Sequence, residues 1–330
     1  MKKILAFGEI LIRQQSVGTS FFEAENNFLS IYPGGSEANV ATALAQMDNA
    51  VSYVSAFPEN ALSNEIIDIL KKYGVDTAKT LFKGDRIGTY LLLSANGLSK
   101  GEVIYDRKYS SFSQLTRADI DIDDLLQDVD WLHWTALTPA LNENLTLVMQ
   151  QILQAAKERG IIISVDLNYR NKLWQYGVEP LEVMPTLISY CDVIMGNIWA
   201  ANKMLGTQVD SNLDRYTSKE TYMKAAQQSA NEIFQKFTTC KHIAYTFRFM
   251  DNPTHNLFYG TYHTRENHTV SATHETNAVI DRIGSGDAFM AGFIHALRHK
   301  MTPQQIVDTA TGAGFQKLFV KGDFGNGKID

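Results

Sequence analysis

Asp281-Arg282-Ile283-Gly284-Ser285-Gly286-Asp287-Ala288-Phe289 joins a glycine turn to an apolar run, Met290-Ala291-Gly292-Phe293-Ile294-His295-Ala296-Leu297. A helix start offers unpaired N–H groups and partial positive charge, which suits an anion. Gly284 and Gly286 let the backbone close on a phosphate with no Cβ in the way. Asp287 is the odd member, because its carboxylate repels the phosphate that the turn attracts. The conflict resolves if Asp287 faces a substrate hydroxyl and takes its proton while the turn holds the transferring phosphoryl group. An aspartate in a first turn also serves simply as a helix cap. This segment alone leaves both readings open.

A second glycine turn shifts the balance. Pro33-Gly34-Gly35-Ser36-Glu37-Ala38-Asn39-Val40-Ala41-Thr42-Ala43-Leu44 also leads from a glycine pair into a helix, with polar Ser36, Glu37 and Asn39 at its mouth. The small residues that follow let the helix lie close to a sheet. A third segment, Asp166-Leu167-Asn168-Tyr169-Arg170-Asn171-Lys172-Leu173-Trp174, follows the apolar run Ile161-Ile162-Ile163-Ser164-Val165. That places it at the C-terminal end of a buried parallel strand, where open α/β sheets bind ligands. Arg170 suits bidentate pairing with a carboxylate or phosphate. Tyr105-Asp106-Arg107 offers a second guanidinium beside a phenol.

The paired turns resemble those of the ribokinase (PfkB-type) carbohydrate kinases, and the resemblance spans nearly the whole chain. It implies that the Gly34–Gly35 turn binds sugar, that Gly284, Ser285 and Gly286 form an anion hole, and that Asp287 is the catalytic base. The Tyr-x-Arg and Asp-x-Asn-x-Arg-x-x-Leu-Trp patterns resemble the 2-keto-3-deoxygluconate kinase branch, whose arginines meet a substrate carboxylate. Carried over by position, the substrate residues are Gly34, Gly35, Ser36, Ala38, Asn39, Tyr90, Tyr105, Arg107, Arg170 and Asp323, together with Asp287. The implied nucleotide contacts fall on Asn168, Arg170, Asn197, Thr246 and Arg248, with Gly284 and Gly286. ATP and Mg²⁺ are the implied cofactors, with a monovalent cation as an optional addition.

The sequence departs from the family pattern in three places. Thr246-Phe247-Arg248-Phe249-Met250-Asp251 lacks the glycines of the usual Thr-x-Gly-x-x-Gly. Asn197-Ile198-Trp199-Ala200 lacks the acid of Asn-x-x-Glu, which leaves the metal ligands unassigned. Arg282 replaces a small threonine, and either adds charge near the phosphates or faces solvent.

The elements that must position these residues alternate between buried strands and amphipathic helices. Strands are predicted at Val51–Ser55, Ile161–Asp166, Asp192–Met195 and His242–Thr246, with a further one near the N-terminus. Helices are predicted through Ile66, Ile67 and Leu70 to Gly74 and over Asn144–Arg159. A capped start is expected at Thr302-Pro303-Gln304-Gln305. The pattern predicts an α/β, ribokinase-like, doubly wound and mostly parallel sheet. Residues 10–32 and 81–114 are strand-like instead. Ile87–Leu93 and Val103–Arg107 are expected to pair around Ala95-Asn96-Gly97. The resemblance makes these segments a small β lid on a single domain of residues 1–330, often used for homo-oligomerisation. Polar Thr207–Lys219 is expected to be a surface insertion.

At 330 residues with 45% hydrophobic content, the chain can bury one large α/β core. A net charge of −6 argues against a nucleic-acid or membrane-surface binder. Met1-Lys2-Lys3-Ile4-Leu5-Ala6-Phe7-Gly8-Glu9 has a short apolar run that Glu9 ends too early for a signal peptide. Cys191 and Cys240 show no metal spacing, so a reducing cytoplasm is expected. His255, His263, His268 and His274 lack ligand spacing and read as exposed or structural. Gly322-Asp323-Phe324-Gly325-Asn326-Gly327-Lys328 approaches a Walker A loop but has neither the final Ser or Thr nor room for the helix. Trp131, Trp134, Trp174 and Trp199 read as core or pocket rim, and nothing suggests a serine or cysteine nucleophile.

The expected activity is transfer of the ATP γ-phosphoryl group to the terminal hydroxyl of an acidic sugar, 2-keto-3-deoxygluconate foremost. A kinase for fructose, ribose or a nucleoside and a non-catalytic sugar-acid sensor both remain as alternatives.

Overall fold

A computed structural model describes residues 2–16, 22, 28–93 and 102–329. Six strands run parallel in the order Val51–Val54, Lys3–Phe7, Val129–Thr135, Ile162–Asp166, Val193–Gly196 and His242–Phe249. Asn256–His263 then pairs antiparallel with the last of these, and carries two short strands, His268–Val270 and His274–Thr276. The parallel strands are almost wholly buried because helices cover both faces. One core cluster lies under helices Glu143–Glu158, Pro180–Ile188, Ile198–Leu205 and Lys219–Lys236. The other lies under Ser36–Gln46, Ala61–Lys72, Ser285–Arg298 and Pro303–Gln316. This is the doubly wound arrangement that the alternation predicts.

Local chemistry sets several boundaries. Asn142 caps the helix that follows, with Oδ1 accepting from Leu145 N, and its apolar stripe Leu145, Val148, Met149, Ile152 and Ala156 is fully buried. Thr302 and Gln305 form the expected capping box, with Pro303 at the first helical position.

A second sheet stands apart, in the order Leu29–Gly34, Leu11–Ser16, Gly88–Leu93, Glu102–Asp106. Its outer pairs are antiparallel and its central pair parallel. Thr89 to Leu93 pair with Asp106 to Glu102 as expected, while the turn at Ala95–Gly97 lies outside the described residues. The lid sheet uses less of 81–114 than its strand-like sequence suggests. Leu81–Phe82 pairs with Ala56–Phe57, and Phe112 and Leu115 are swallowed by the main core. Phe112 and Leu115, fully buried, gain more from the deep core than from a two-sided lid. Residues 207–218 form a turn-rich surface segment, with Tyr216 almost fully exposed, before helix Lys219–Lys236 begins.

Candidate active site

Two helix N-termini face each other at the C-terminal ends of the parallel strands. Gly284 caps helix Ser285–Arg298 with φ 81°, a left-handed conformation that favours glycine. A Cβ there would stand 2.4 Å from the Asp323 carbonyl oxygen, whereas a Cβ on Gly286 would meet nothing within 4 Å. The turn is therefore closed behind and open in front, which is the space an anion needs. Opposite it, Gly35 takes φ 145° against the backbone of Glu9, and Gly34 abuts the Asp323 carboxylate.

Asp287 bridges the two turns. Its Oδ1 accepts from Ser36 Oγ at 2.5 Å and its Oδ2 from Asn39 Nδ2 at 2.7 Å. Asn168 Nδ2 donates to Ser36 Oγ at 3.0 Å, and the Asn168 amide donates to Asp166 Oδ1 at 2.9 Å. Burial raises the Asp287 pKa, and the bonds from Ser36 and Asn39 oppose that rise. Asp166 is pushed to about 7 by burial and by the Asp287 charge. Glu37 also sits at about 7, chiefly through burial, although Thr135 donates to its Oε1 from both amide and hydroxyl. Asp166 and Asp287 line the cleft, with Glu37 buried behind them, and burial raises the pKa of all three.

The charge on the far side is positive. Arg170, Arg248 and Arg282 line the same cleft, which measures about 230 Å³. Arg248 Nη1 donates to Ser285 Oγ at 2.7 Å. Desolvation, then the neighbouring Arg170 and Arg282, lowers the Arg248 pKa to about 10. Arg282 is half-buried, with Nη2 donating to the carbonyls of Asn252 and His255, so it neither faces open solvent nor spends its charge on a carboxylate there. Its Nε is buried without a partner. Three guanidiniums beside an open helix N-terminus fit a polyphosphate.

The cleft also gathers Gly35, Ser36, Asn39, Tyr90, Tyr105, Arg107, Asn168 and Asp323 from the residues singled out in the sequence. Ala38 is buried one turn below the mouth, and Ser285 is buried behind Arg248. Asn197 and Thr246 lie outside the cleft lining. Asn197 Oδ1 caps helix Ile198–Leu205 through Ala200 N at 2.8 Å, and Thr246 Oγ1 donates to the Gly196 carbonyl at 3.4 Å. Among the described residues no cluster of three His, Cys, Asp or Glu side chains stands ready for a metal. His255 and His263 are buried, and Trp131 and Trp134 belong to the core.

Other features escaped the sequence. Arg107 is not a free guanidinium. It is buried, with Nε paired to Glu9 Oε2 at 2.7 Å, and Ser110 Oγ donates to the other Glu9 oxygen. Glu9 directly follows the first strand and Gly8, and that strand-end position was the signal that could have revealed it. Arg13, Asp281 and Lys317 form a further buried group around Asp323.

The chain belongs to the PfkB family of carbohydrate kinases, whose pattern it matches over residues 1–239. The architecture agrees with solved kinase structures. It superposes on a 2-dehydro-3-deoxygluconokinase from Thermotoga maritima with a TM-score of 0.89 and 31% identity, covering 98% of this chain and 96% of that one. It is 25% identical over 291 residues to 2-dehydro-3-deoxygluconokinase from Bacillus subtilis, covering 88% of this chain and 81% of the relative. It is 28% identical over 172 residues to 2-dehydro-3-deoxygalactonokinase from Haloferax volcanii. That alignment spans 52% of this chain and only about half, 54%, of the relative's own length. Fructokinase-2 from Oryza sativa subsp. japonica is also 28% identical, over 52% of this chain and 50% of the relative.

Proposed function

We propose that the chain phosphorylates the terminal hydroxyl of an acidic sugar with ATP, 2-keto-3-deoxygluconate to its 6-phosphate foremost. The observation that carries this reading is the position of Asp287 between a polar sugar-side turn and an open anion-side turn. In it, the hydroxyl enters beside Ser36 and Asn39 and meets Asp287, which takes its proton as the oxygen attacks the γ-phosphorus. The bond to the β–γ bridging oxygen breaks and ADP leaves. N–H groups of Gly284 to Asp287 receive the charge on the transferring group, aided by Arg248 and Arg282. Arg170 is the cation best able to meet the sugar carboxylate, and Tyr90 and Tyr105 close the lid side against water. Of the remaining nucleotide assignments, Asn197 follows strand Val193–Gly196 and Thr246 lies within strand His242–Phe249 beside it.

Mg²⁺ fits this site as an ion carried by phosphates and water, because the donor set is poor. Asp166 is the cleft carboxylate that would touch its hydration shell. Bound there, the ion would neutralise phosphate charge. The lid's outer face is proposed to join two copies of the chain. The two buried free cysteines accord with a reducing cytoplasm.

A neutral-sugar kinase is the second reading. Arg107 already spends charge on Glu9, which leaves one fewer cation for an acid, and fructokinases are among the relatives. A coupled assay with ATP across sugar acids, fructose and ribose tests both. Turnover of fructose or ribose above every acid would remove the sugar-acid reading. Sugar-acid binding with no turnover at all would make the protein a sensor.

A further inference from the structure

The lid and the phosphoryl turn meet in a buried charge cluster. Arg13 sits in the lid strand Leu11–Ser16 with its side chain fully buried. Its guanidinium forks onto Asp281, Nη1 to Oδ1 at 3.2 Å and Nη2 to Oδ2 at 2.7 Å. Its Nε stands 2.9 Å from Asp323 Oδ1, an ion pair whose angle falls short of a hydrogen bond. The ring of Tyr32, from the neighbouring lid strand, covers the guanidinium at 4.3 Å.

Each carboxylate has a second duty. Asp281 Oδ1 accepts from the amide of Ile283, which precedes the Gly284 turn, and Oδ2 from the amide of Gly322. Asp323 Oδ2 accepts from the Tyr90 hydroxyl at 3.2 Å, and its carbonyl backs directly onto Gly284. Lys317 is buried beneath, donating to the carbonyls of Val320 and Gly322. A single guanidinium therefore ties a lid strand to both segments that shape the anion hole. A forked pair fixes direction as well as distance, and burial spares it from salt.

We propose that Arg13 is a positioning residue that couples the seat of the lid to the shape of the Ile283–Gly286 turn. A sugar held under Tyr90 and a phosphoryl group held by the turn then favour one common arrangement, and each strengthens binding of the other. The ligands named here rest on the kinase reading. The coupling itself rests on the cluster.

Arg13→Lys tests it, because it keeps the charge and loses the fork. In the ligand-free protein, amide hydrogen exchange at 283–286 and 322 is expected to rise about tenfold along with exchange in 11–16. Exchange in strands Val129–Thr135 and Ile162–Asp166 is expected to stay unchanged. A rise confined to the lid strand, or spread evenly over the protein, would overturn the proposal. If Arg13→Lys fails to fold, Asp281→Asn gives the reciprocal test, since loosening the turn side must then loosen 11–16.

The second measurement is the affinity for AMP-PNP with and without 2-keto-3-deoxygluconate. The sugar acid is expected to tighten AMP-PNP in the wild type and to lose that effect in Arg13→Lys, while each ligand alone changes by no more than about threefold. Equal enhancement in both proteins refutes the coupling. A wild type that binds neither ligand sinks the kinase reading instead, and the exchange data on the unliganded protein still decide the role of Arg13.

Discussion

Asp287 is held by Ser36 and Asn39 before any substrate arrives, so its geometry is set in advance. Asp287→Asn is expected to fold, to bind sugar and to lose on the order of 10²–10⁴-fold in kcat. Near-normal kcat in a folded variant would leave Asp287 as a structural bridge to Ser36 and Asn39. Glu37 and Asp166 give a pH prediction. Both have raised pKa values, so the folded protein holds protons that the unfolded chain releases first. Stability from these groups is full below about pH 4 and declines as pH rises through about 7. Glu37→Gln keeps an acceptor for Thr135 without the charge. It is expected to gain stability over the wild type by on the order of 1 kcal/mol above pH 7 and little at pH 4. Urea melts at the two pH values check this, and a gain that is larger at pH 4 would refute the sign. Asp287 was legible in the sequence because its turn is local. The Glu9–Arg107 pair was not, since its partners lie 98 positions apart and neither residue type announces the other.

At the scale of elements, two glycines two residues apart should behave in opposite ways. Gly284→Ala puts a Cβ against backbone at positive φ and is expected to cost about 1–3 kcal/mol of stability. Gly286→Ala puts one into open space, so stability should hold while the nucleotide KM rises or kcat falls. Thermal melts set beside steady-state kinetics separate the two, and a destabilised but fully active Gly286→Ala would show that no anion sits there. The lid gives a second test. Ile31, Gln14, Leu91 and Ile104 lie in register across its sheet, and Ile31 and Ile104 are exposed. If this face joins two copies, Ile31→Lys should shift the mass seen by light scattering from dimer to monomer. A wild type that is already monomeric would remove the lid interface. The pairing of Gly88–Leu93 with Glu102–Asp106 was readable from two strand-like runs flanking Ala95-Asn96-Gly97. The loss of Leu81 and Phe112 to other partners was not, because apolar content does not say which core claims a residue.

For the whole molecule, the doubly wound sheet was legible because buried parallel strands and capped helices leave long periodic traces. The assembled cleft was less so. It draws on residues from Leu11 to Asp323, and Leu11, Tyr90 and Asp323 reach it from outside the four contiguous motifs. One global measurement separates enzyme from sensor. Each ligand at about 100 times its Kd should add about 2.7 kcal/mol to unfolding stability. A shift with the sugar acid but none with ATP would favour the sensor.

The Arg13–Asp281 pair spans 268 positions. A ribosome adding about 5–20 residues per second needs roughly 15–50 s to pass from one to the other. Through that interval the nascent lid strand carries a guanidinium whose burial has no carboxylate to answer it. The N-terminal strands can meet their neighbours as they emerge, but the Arg13 fork closes only once Asp281 is in reach. A chain clipped before Asp281 would lose both carboxylates and leave the Arg13 guanidinium without its fork, so its lid strand should be open to proteolysis where that of the whole chain is not.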